Sequence, residues 1–368
     1  PGAKPMTKKL VVIAAGGTGG HLFPAAAFAE EMFRRGWRVM LMTDARGRRY
    51  AEGFPAERIE DVPAASLTAN PIKAIPALFK IARGVAAANK CFKQSPPALV
   101  AGFGGYPSFP ALTAARGQKI PILIHEQNSV LGRVNRAMAK SAAAIACGFP
   151  RLDRLAPEAQ ARKHVVGNPV RLPILALRER PYPEAPAGGR LNLLIIGGSQ
   201  GARLFGEVIP HAIALLPQDL RARLDVVQQV REEQLPAVQR VYEAAGVAAE
   251  AAPFFNNMGE RLAAAHLVIA RAGASSVSEL QVAGRPAILV PFAAAADDHQ
   301  TANAEGLTSV GAADLIAEAA FEPAALAALL RTRLADTHGL AVRAAAARAS
   351  AKPDAAKALA DLAERVAA

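Results

Sequence analysis

The chain has 368 residues, of which 52% are hydrophobic, and a formal net charge of +12, a length that supports about two domains with ordinary cores. It contains no run of the roughly 18 apolar residues needed to span a bilayer, and its two cysteines match no metal-ligand or redox spacing. We expect residues 1–5, which precede Met6, to be an artificial leader outside the fold, and we expect a reducing, cytoplasmic location.

In the first half of the chain, short apolar runs alternate with amphipathic stretches, which favours parallel α/β units. Five strands are predicted there: Leu10–Ala15, Arg38–Met42, Ala98–Ala101, Ile120–Ile124 and Ala143–Ala146. Between the second and third of them, residues 70–93 form an amphipathic helical pattern. Its apolar face and its flanking cations include Ile72, Ile75 and Phe79, and Lys73, Lys80 and Arg83. This arrangement suits a helix that lies on anionic lipid; the alternative is an ordinary helix whose apolar face packs on its own core.

Prolines and glycines cluster between residues 165 and 190, and they mark the domain junction. The second half restarts at Leu191 with a strand and a glycine turn. Further strands are predicted at Leu224–Gln228, Leu267–Ala270 and Ala287–Pro291. We therefore predict an α/β protein of two Rossmann-like domains that face each other across a cleft, 6–170 and 171–344. The Ala-rich segment 340–368, with a break at Pro353, is expected to form helices that cap either domain, and the last helix, about 345–368, is expected to return to the first.

Three glycine-rich turns follow predicted strands, at 16–20, 102–108 and 197–201. Glycine lets the backbone approach an anion closely, and the N-terminus of the next helix offers free N–H groups. The first 171 residues carry a net charge of +15 and the remainder −3, so we expect only the first half to meet an anionic partner. No basic and aromatic residues interleave as in a nucleic-acid module, so nucleic acid is ranked last.

Two other chemistries fit these turns less well. The first turn starts a dinucleotide fingerprint, with Asp44 in the place of the ribose-binding acid, but Leu22 occupies the third glycine position. The segment Gly197–Gly201 matches a hydrolase elbow with Asp298 and His299 downstream, but no oxyanion stretch accompanies it.

Two later stretches favour a nucleotide sugar. In Ala270–Leu280 a strand turns into a helix that carries three serines and Glu279, groups that suit a diphosphate and a ribose. In Val290–Leu307 the polar side chains of Asp298, His299, Gln300 and Asn303 can bond sugar hydroxyls; the alternative for Gln300 and Asn303 is helix N-terminal capping.

Seven stretches occur in the order and spacing of one known family: "GGTGGHLFPA", "GFGGYPS", "HEQNSVLGRVNR", "GNPVR", "GGSQGAR", "RAGASSVSEL" and "DDHQTANA". On these residues the chain resembles the MurG-type N-acetylglucosamine transferases of peptidoglycan synthesis. The resemblance implies a glycosyltransferase-B fold and inverting transfer of GlcNAc from UDP-GlcNAc to the 4-hydroxyl of undecaprenyl-diphosphate-MurNAc-pentapeptide, without a metal or other cofactor. It also implies a peripheral position on the cytoplasmic face of the inner membrane, an anionic membrane surface as a partner, and contact with other cell-wall synthesis proteins.

The family pattern assigns roles to individual positions of this chain. Donor contacts are implied for Thr18, Gly19, Gly20, Asn128, Arg171, Ser199, Phe255, Ala274, Ser275, Ser276, Val277, Ser278, Glu279 and Gln300. At Phe255 the backbone, not the ring, reads the uracil edge, and Glu279 takes the ribose hydroxyls. The acceptor diphosphate is assigned to Gly16, Gly17, His21, Gly104, Gly105 and Tyr106.

His21 is the leading candidate for the general base, because histidine is the side chain most often used for proton transfer at neutral pH and this one lies beside the first glycine turn; a phosphate ligand is an equally good interpretation. Glu126 is the alternative base, unless it only orders its loop. Three rivals share part of this pattern. They are a sugar epimerase or another lipid glycosyltransferase of the same fold, a nicotinamide oxidoreductase, and a binding module without turnover.

Overall fold

The computed structural model describes residues 8–17, 19–49, 51–66, 71–184, 188–198 and 201–368, with the backbone alone for residues 71–74. Thr18 and Ser199, both predicted to contact the donor, lie outside the described residues. The chain divides into two units. Unit 1 comprises residues 1–171 and 353–368, and unit 2 comprises residues 172–352. Across the described residues, every helix is too short or too polar to cross a membrane.

Unit 1 contains a parallel sheet of seven strands in the order β3-β2-β1-β4-β5-β6-β7. The strands are β1 Leu10–Ala14, β2 Arg38–Thr43, β3 Arg58–Asp61, β4 Leu99–Gly102, β5 Ile122–Glu126, β6 Ala144–Cys147 and β7 Lys163–Val165. The connecting helices are α1 Gly19–Arg34, α2 Ala45–Arg48, α3 Pro71–Gln94, α4 Ser108–Gly117 and α5 Arg133–Met138. Both faces of the sheet are covered, since β1 is buried at all five positions and its alternate side chains enter two separate apolar clusters.

Unit 2 contains a parallel sheet of six strands in the order β10-β9-β8-β11-β12-β13. The strands are β8 Leu191–Ile196, β9 Leu224–Gln229, β10 Ala248–Ala252, β11 Leu267–Ala270, β12 Ala287–Leu289 and β13 Ala313–Leu315. The helices are α6 Leu172–Leu175, α7 Arg203–Ala214, α8 Gln218–Arg221, α9 Leu235–Ala244, α10 Met258–Ala264, α11 Ala274–Ala283, α12 His299–Thr308, α13 Pro323–Ala335 and α14 Thr337–Ser350. In each sheet the strand order reverses direction next to the first strand of the unit, which is where open parallel sheets place their ligands.

The C-terminal segment divides between the two units. The helix α14 packs on α11, α12 and α13 within unit 2, and a short non-helical segment around Pro353 separates it from the last helix. The last helix, α15 Ala355–Val366, belongs to unit 1, where it packs on α1 and buries Leu359 and Leu362. Arg35 of α1 holds it there through ion pairs with Asp361 and Glu364.

The predicted inner strands are present with small shifts at their ends, but the sequence prediction omitted β3, β7, β10 and β13. These are the four edge strands of the two sheets. Edge strands are half solvated and need no apolar run, as "RIED" of β3 and "AAEAA" of β10 illustrate.

Candidate active site

Two glycine turns of unit 1 meet at the carboxyl ends of β1 and β4. Gly17, Gly104 and Gly105 have φ values of +88°, +85° and +73°, in the region that favours glycine. A methyl group placed on Gly105 would lie 2.8 Å from the carbonyl oxygen of Gly16, and one placed on Gly16 would lie 2.8 Å from Pro107. The two turns therefore fit against each other only because these positions lack side chains, which is the close backbone approach that an anion cradle requires.

The half-buried ring of His21, in the first turn of α1, lies against the second of these turns. Methyl groups placed on Gly104 and Gly105 would lie 3.4 Å from its Cε1 and 3.3 Å from its Cδ2. Its Nδ1 is 2.9 Å from Oε1 of Gln127. The structure thus brings together His21, Gly104 and Gly105, three residues that were assigned to the acceptor diphosphate.

Tyr106 continues the second turn and contacts Asp44. Its hydroxyl donates to Oδ2 of Asp44 at 2.8 Å, while Oδ1 of Asp44 accepts from the backbone N–H of Gly47 at 2.8 Å. Burial and the neighbouring carboxylate raise the pKa of Tyr106. Because Asp44 caps α2 and holds Tyr106 with its two oxygens, it is committed to the local fold, and this disfavours the dinucleotide alternative, in which it would bind a ribose.

Glu126, the alternative base, is buried at the end of β5 and accepts four hydrogen bonds. Oε1 accepts from the backbone N–H and the side-chain amide of Asn128, and Oε2 accepts from the backbone N–H of Gly132 and from Nδ2 of Asn135, all at 2.9–3.1 Å. A carboxylate surrounded by four donors has no lone pair directed at a substrate hydroxyl. We therefore assign Glu126 to ordering the 128–135 loop rather than to proton transfer.

Sequence reasoning did not single out two residues of the same motif, His125 and Gln127. Both are buried, and Nε2 of Gln127 lies 3.0 Å from Nδ1 of His125 and 3.1 Å from the carbonyl oxygen of His125. Nε2 of His125 lies 3.0 Å from the carbonyl oxygen of Gly167. Burial lowers the pKa of His125 to about 4, so its ring is neutral at pH 7. They join His21 to the interior of unit 1.

Two other predicted donor contacts of unit 1 lie near these turns. The guanidinium of Arg171 is centred 4.7 Å from the ring of Phe23, which follows His21 on α1. Asn128 is half-buried and is oriented by Glu126. At the start of α1, Gly19 is buried while Gly20, also a predicted donor contact, is exposed.

In unit 2, the turn after β8 again depends on glycine. A methyl group on Gly197 would lie 2.4 Å from the backbone nitrogen of Ala202, and Gly198 and Gly201 have φ values of +84° and +66°. The buried Gln229 holds this turn, because its Oε1 accepts from the N–H of Gly197 at 3.1 Å and its Nε2 donates to the carbonyl of Pro253 at 3.2 Å. Gln229 thus connects the turns that follow β8 and β10.

The helix α11 begins after Gly273 at the carboxyl end of β11, and its first N–H groups lack helical partners. Ser275, Ser276 and Glu279 are partly exposed, and Glu279 follows the two serines by four and three residues, which places it on their face of the helix. Val277 and Ser278 are buried, so their side chains are not donor contacts in this arrangement. Ala274 is also buried and offers only its backbone.

The turn after β10 exposes an aromatic side chain next to the predicted uracil reader. Phe255 is buried under the guanidinium of Arg261, 4.0 Å from the ring centroid, which leaves its backbone as its contribution. Phe254 is 70% exposed, and the sequence prediction did not include it among the site residues.

The segment after β12 ends in two strained residues, since Asp297 and Asp298 have φ values of +57° and +51°. Gln300 follows them, and its Oε1 accepts from the backbone N–H of Phe292 at 2.9 Å. The carbonyl end of Gln300 is thereby used within its own loop, so only its amide N–H groups could donate to a bound ligand.

Two parallel α/β units, each with a glycine turn and a helix N-terminus beside its first strand, define a glycosyltransferase of the B-type fold. The models of the glycosyltransferase family 28 N-terminal and C-terminal domains match residues 11–147 and 192–359. A crystal structure of Acinetobacter baumannii MurG superposes with a TM-score of 0.79 at 33% identity, covering 97% of this chain and 99% of that one.

Curated relatives extend over nearly the whole chain. The chain is 53% identical to a protein of Maricaulis maris (96% of this chain, 97% of the relative) and 50% identical to one of Caulobacter vibrioides (98% and 99%). Both relatives are named UDP-N-acetylglucosamine–N-acetylmuramyl-(pentapeptide) pyrophosphoryl-undecaprenol N-acetylglucosamine transferase. The chain belongs to this family, the MurG glycosyltransferases.

Proposed function

We propose that the protein transfers GlcNAc from UDP-GlcNAc to the 4-hydroxyl of undecaprenyl-diphosphate-MurNAc-pentapeptide, with inversion at the anomeric carbon. The observation that carries the proposal is the near-full-length similarity to relatives named for this reaction. The geometry of each unit supports it, because each provides glycine turns and a helix N-terminus suited to one of the two diphosphates that the reaction requires.

The donor is assigned to unit 2. Its diphosphate would bind the free N–H groups at the start of α11 and the turn at Gly197, and Glu279 would accept from the ribose hydroxyls. As the bond between the sugar and UDP breaks, negative charge grows on the diphosphate, and preorganised N–H groups and the helix dipole stabilise that charge. This assignment uses no metal ion, so we expect full activity in the presence of EDTA.

The acceptor is assigned to unit 1, with its diphosphate at the turns of Gly17 and Gly105. His21 projects beside both turns, and we assign it as the general base. Nε2 of His21 takes the proton of the acceptor 4-hydroxyl while that oxygen attacks the anomeric carbon, and UDP leaves with the electron pair of the broken bond. Two outcomes separate this role from a phosphate ligand, since loss of a base lowers kcat whereas loss of a ligand raises the acceptor KM.

Membrane contact is assigned to the first half of α3. Ile75, Leu78 and Phe79 are 73%, 55% and 66% exposed, while a different stripe of the helix, with Ile81 and Phe92, packs into unit 1. Lys80 and Arg83 are exposed beside the apolar residues; the side chains of Ile72 and Lys73 lie outside the described residues. An exposed apolar patch with adjacent cations fits an anionic bilayer surface, and we propose that the protein binds the cytoplasmic face of the inner membrane there.

The reaction is tested by product analysis. The wild-type protein is incubated with UDP-GlcNAc and a short-chain polyprenyl-diphosphate-MurNAc-pentapeptide, with and without EDTA. We expect a β-linked disaccharide lipid at equal rates in both samples. Tight UDP-GlcNAc binding without a lipid product would refute the acceptor assignment, and conversion of free UDP-GlcNAc alone would favour an epimerase. A requirement for a divalent cation would refute the metal-independent step.

The membrane surface is tested by sedimentation with vesicles of phosphatidylglycerol or of phosphatidylcholine. We expect the wild type to bind the anionic vesicles, and the double variant Ile75→Ser with Phe79→Ser to lose most of that binding. Phe33→Ser is the matched control, because Phe33 is also an exposed phenylalanine of unit 1, 63% accessible, but lies on α1. Equal binding by the double variant and the control would contradict the assignment.

A further inference from the structure

The hydrogen bonds that connect Gly167, His125, Gln127 and His21 fix which ring nitrogen carries the proton when the two histidines are neutral. The carbonyl oxygen of Gly167 can only accept, so Nε2 of His125 carries the proton of that 3.0 Å bond. His125 is 1% exposed and packs against the ring of Phe103 at 5.3 Å. A buried ring without a charged partner is neutral, and its Nδ1 is therefore an acceptor.

The orientation of the Gln127 amide follows from His125. Nδ1 and the carbonyl oxygen of His125 are both acceptors, and both face the same end of the amide at 3.0 and 3.1 Å. That end is consequently the NH₂ group, and the oxygen, Oε1, points to Nδ1 of His21 at 2.9 Å. Because Oε1 can only accept, Nδ1 of His21 carries a proton.

A neutral His21 with its proton on Nδ1 presents a lone pair at Nε2. The opposite tautomer would offer an N–H at Nε2 and could not accept a proton there. Within the described part of the chain, Nε2 of His21 makes no hydrogen bond. The ring edges on either side of it, Cε1 and Cδ2, lie against the Gly104 and Gly105 turn.

We propose that His125 and Gln127 are positioning residues, which hold His21 in the Nδ1–H tautomer with its Nε2 lone pair free to remove the proton of the acceptor. The inference rests on the proposed role of His21 as the base. In water a neutral histidine exchanges between its tautomers. The hydrogen bonds from Gly167 through His125 and Gln127 to His21, here called the relay, remove this freedom before substrate binds.

The chemistry of the relay suits a site that binds a diphosphate. Many catalytic histidines are oriented by a carboxylate, which adds a negative charge beside the ring. A carboxylate at position 127 would repel an anionic acceptor bound at the neighbouring glycine turns. An amide oxygen orients the ring equally well without that charge, but it requires a second group to fix the amide, and His125 serves this purpose.

The tautomer is measured directly by ¹⁵N NMR on protein labelled at its histidine rings, with the His21 signals identified by their loss in His21→Ala. We expect wild-type His21 to show a protonated Nδ1 and an unprotonated Nε2 at pH 8, before any substrate is added. A proton on Nε2 of wild-type His21 would overturn the proposal, whatever the activity of the protein.

Variants then connect the tautomer to turnover. Gln127→Met keeps the length of the side chain but removes both partners, and we expect mixed His21 tautomers and a kcat lowered about 10- to 100-fold, with acceptor KM changed less than threefold. Gln127→Glu retains an acceptor for Nδ1–H of His21, but it sets its second oxygen against the Nδ1 and carbonyl acceptors of His125 and adds a negative charge beside the proposed acceptor site. It should therefore keep the Nδ1–H tautomer of His21 but raise the acceptor KM. His125→Phe should have a smaller effect on the tautomer, because the backbone oxygen of residue 125 still accepts from Gln127.

The possible failures are distinguishable. If Gln127→Met mixes the tautomers without lowering kcat, the relay is not a positioning device and the proposal is wrong. If Gln127→Glu, which still offers an acceptor to Nδ1 of His21, loses the Nδ1–H tautomer, the side chain at position 127 does not set the tautomer, and the proposal is also overturned. If the wild type shows the inferred tautomer but His21→Ala retains its kcat, the proposed function of His21 as base fails, and with it the catalytic meaning of the relay.

Discussion

Burial of a neutral His125 makes the stability of unit 1 dependent on pH. The pKa of this ring is about 4 in the folded protein and about 6.5 in an unfolded chain. Between these values the unfolded chain binds a proton at His125 and the folded protein does not, so the free energy of unfolding falls as the pH is lowered. At about 1.4 kcal/mol for each pH unit, the loss between pH 7 and pH 5 is about 2 kcal/mol, and it reaches about 3 kcal/mol near pH 4.

The assay is urea unfolding at pH 7 and pH 5, followed by the fluorescence of Trp37. The chain contains one tryptophan, and it is buried in unit 1, so the signal reports that unit. We expect His125→Phe to reduce the pH 7 to pH 5 difference in unfolding free energy by about 2 kcal/mol relative to wild type. His164→Phe is the matched control, because His164 is exposed on β7 of the same unit. A His125→Phe protein that keeps the full pH dependence would show that His125 does not take up the proton on unfolding.

Two further predictions concern packing. Gly105→Ala places a methyl group 2.8 Å from the carbonyl oxygen of Gly16 at a φ of +73°, so we expect kcat/KM in the transfer assay to fall at least about tenfold. Gly53 has a similar φ but lies in open space, so Gly53→Ala should retain activity. Equal losses of activity in the two variants would contradict the steric explanation. Arg285 is fully buried and donates to the carbonyls that end α10 and α11. Arg285→Met should therefore lower the free energy of unfolding, measured by calorimetry or urea titration, by about 3 kcal/mol, while Arg331→Met, at an exposed position, should leave it unchanged. If Arg285→Met does not change the free energy of unfolding, the carbonyls find other partners.

The inner strands of both sheets were predictable because parallel strands covered on both faces are continuous apolar runs. "LVVIA" of β1 and "LVIA" of β11 are such runs, and both are buried throughout. The edge strands β3, β7, β10 and β13 carry no such signal. Their pairing is fixed by the backbone register with an inner neighbour, for example Met40 with Arg58. The sequence of a short, half-exposed segment does not show this pairing.

The candidate site was predictable as far as its backbone is concerned. Glycine turns are recognisable in the sequence because a positive φ and a close backbone approach both require glycine, as at Gly105 and Gly16. The roles of polar side chains were less accessible, since they depend on partners distant in the chain. Nothing in "HEQN" shows that Glu126 is surrounded by four donors, or that His125 meets the carbonyl of Gly167.

The most direct test of the account compares single-turnover transfer of labelled GlcNAc from UDP-GlcNAc to the polyprenyl-diphosphate-MurNAc-pentapeptide by wild type, His21→Ala and His338→Ala. His338 is an exposed histidine on α14 of unit 2 and serves as the control. We expect labelled disaccharide lipid from the wild type and the control at equal rates. For His21→Ala we expect a rate lower by at least about 100-fold, with the acceptor KM little changed. Absence of labelled lipid from the wild type would contradict the assigned reaction, and an unchanged rate in His21→Ala would contradict the assigned base.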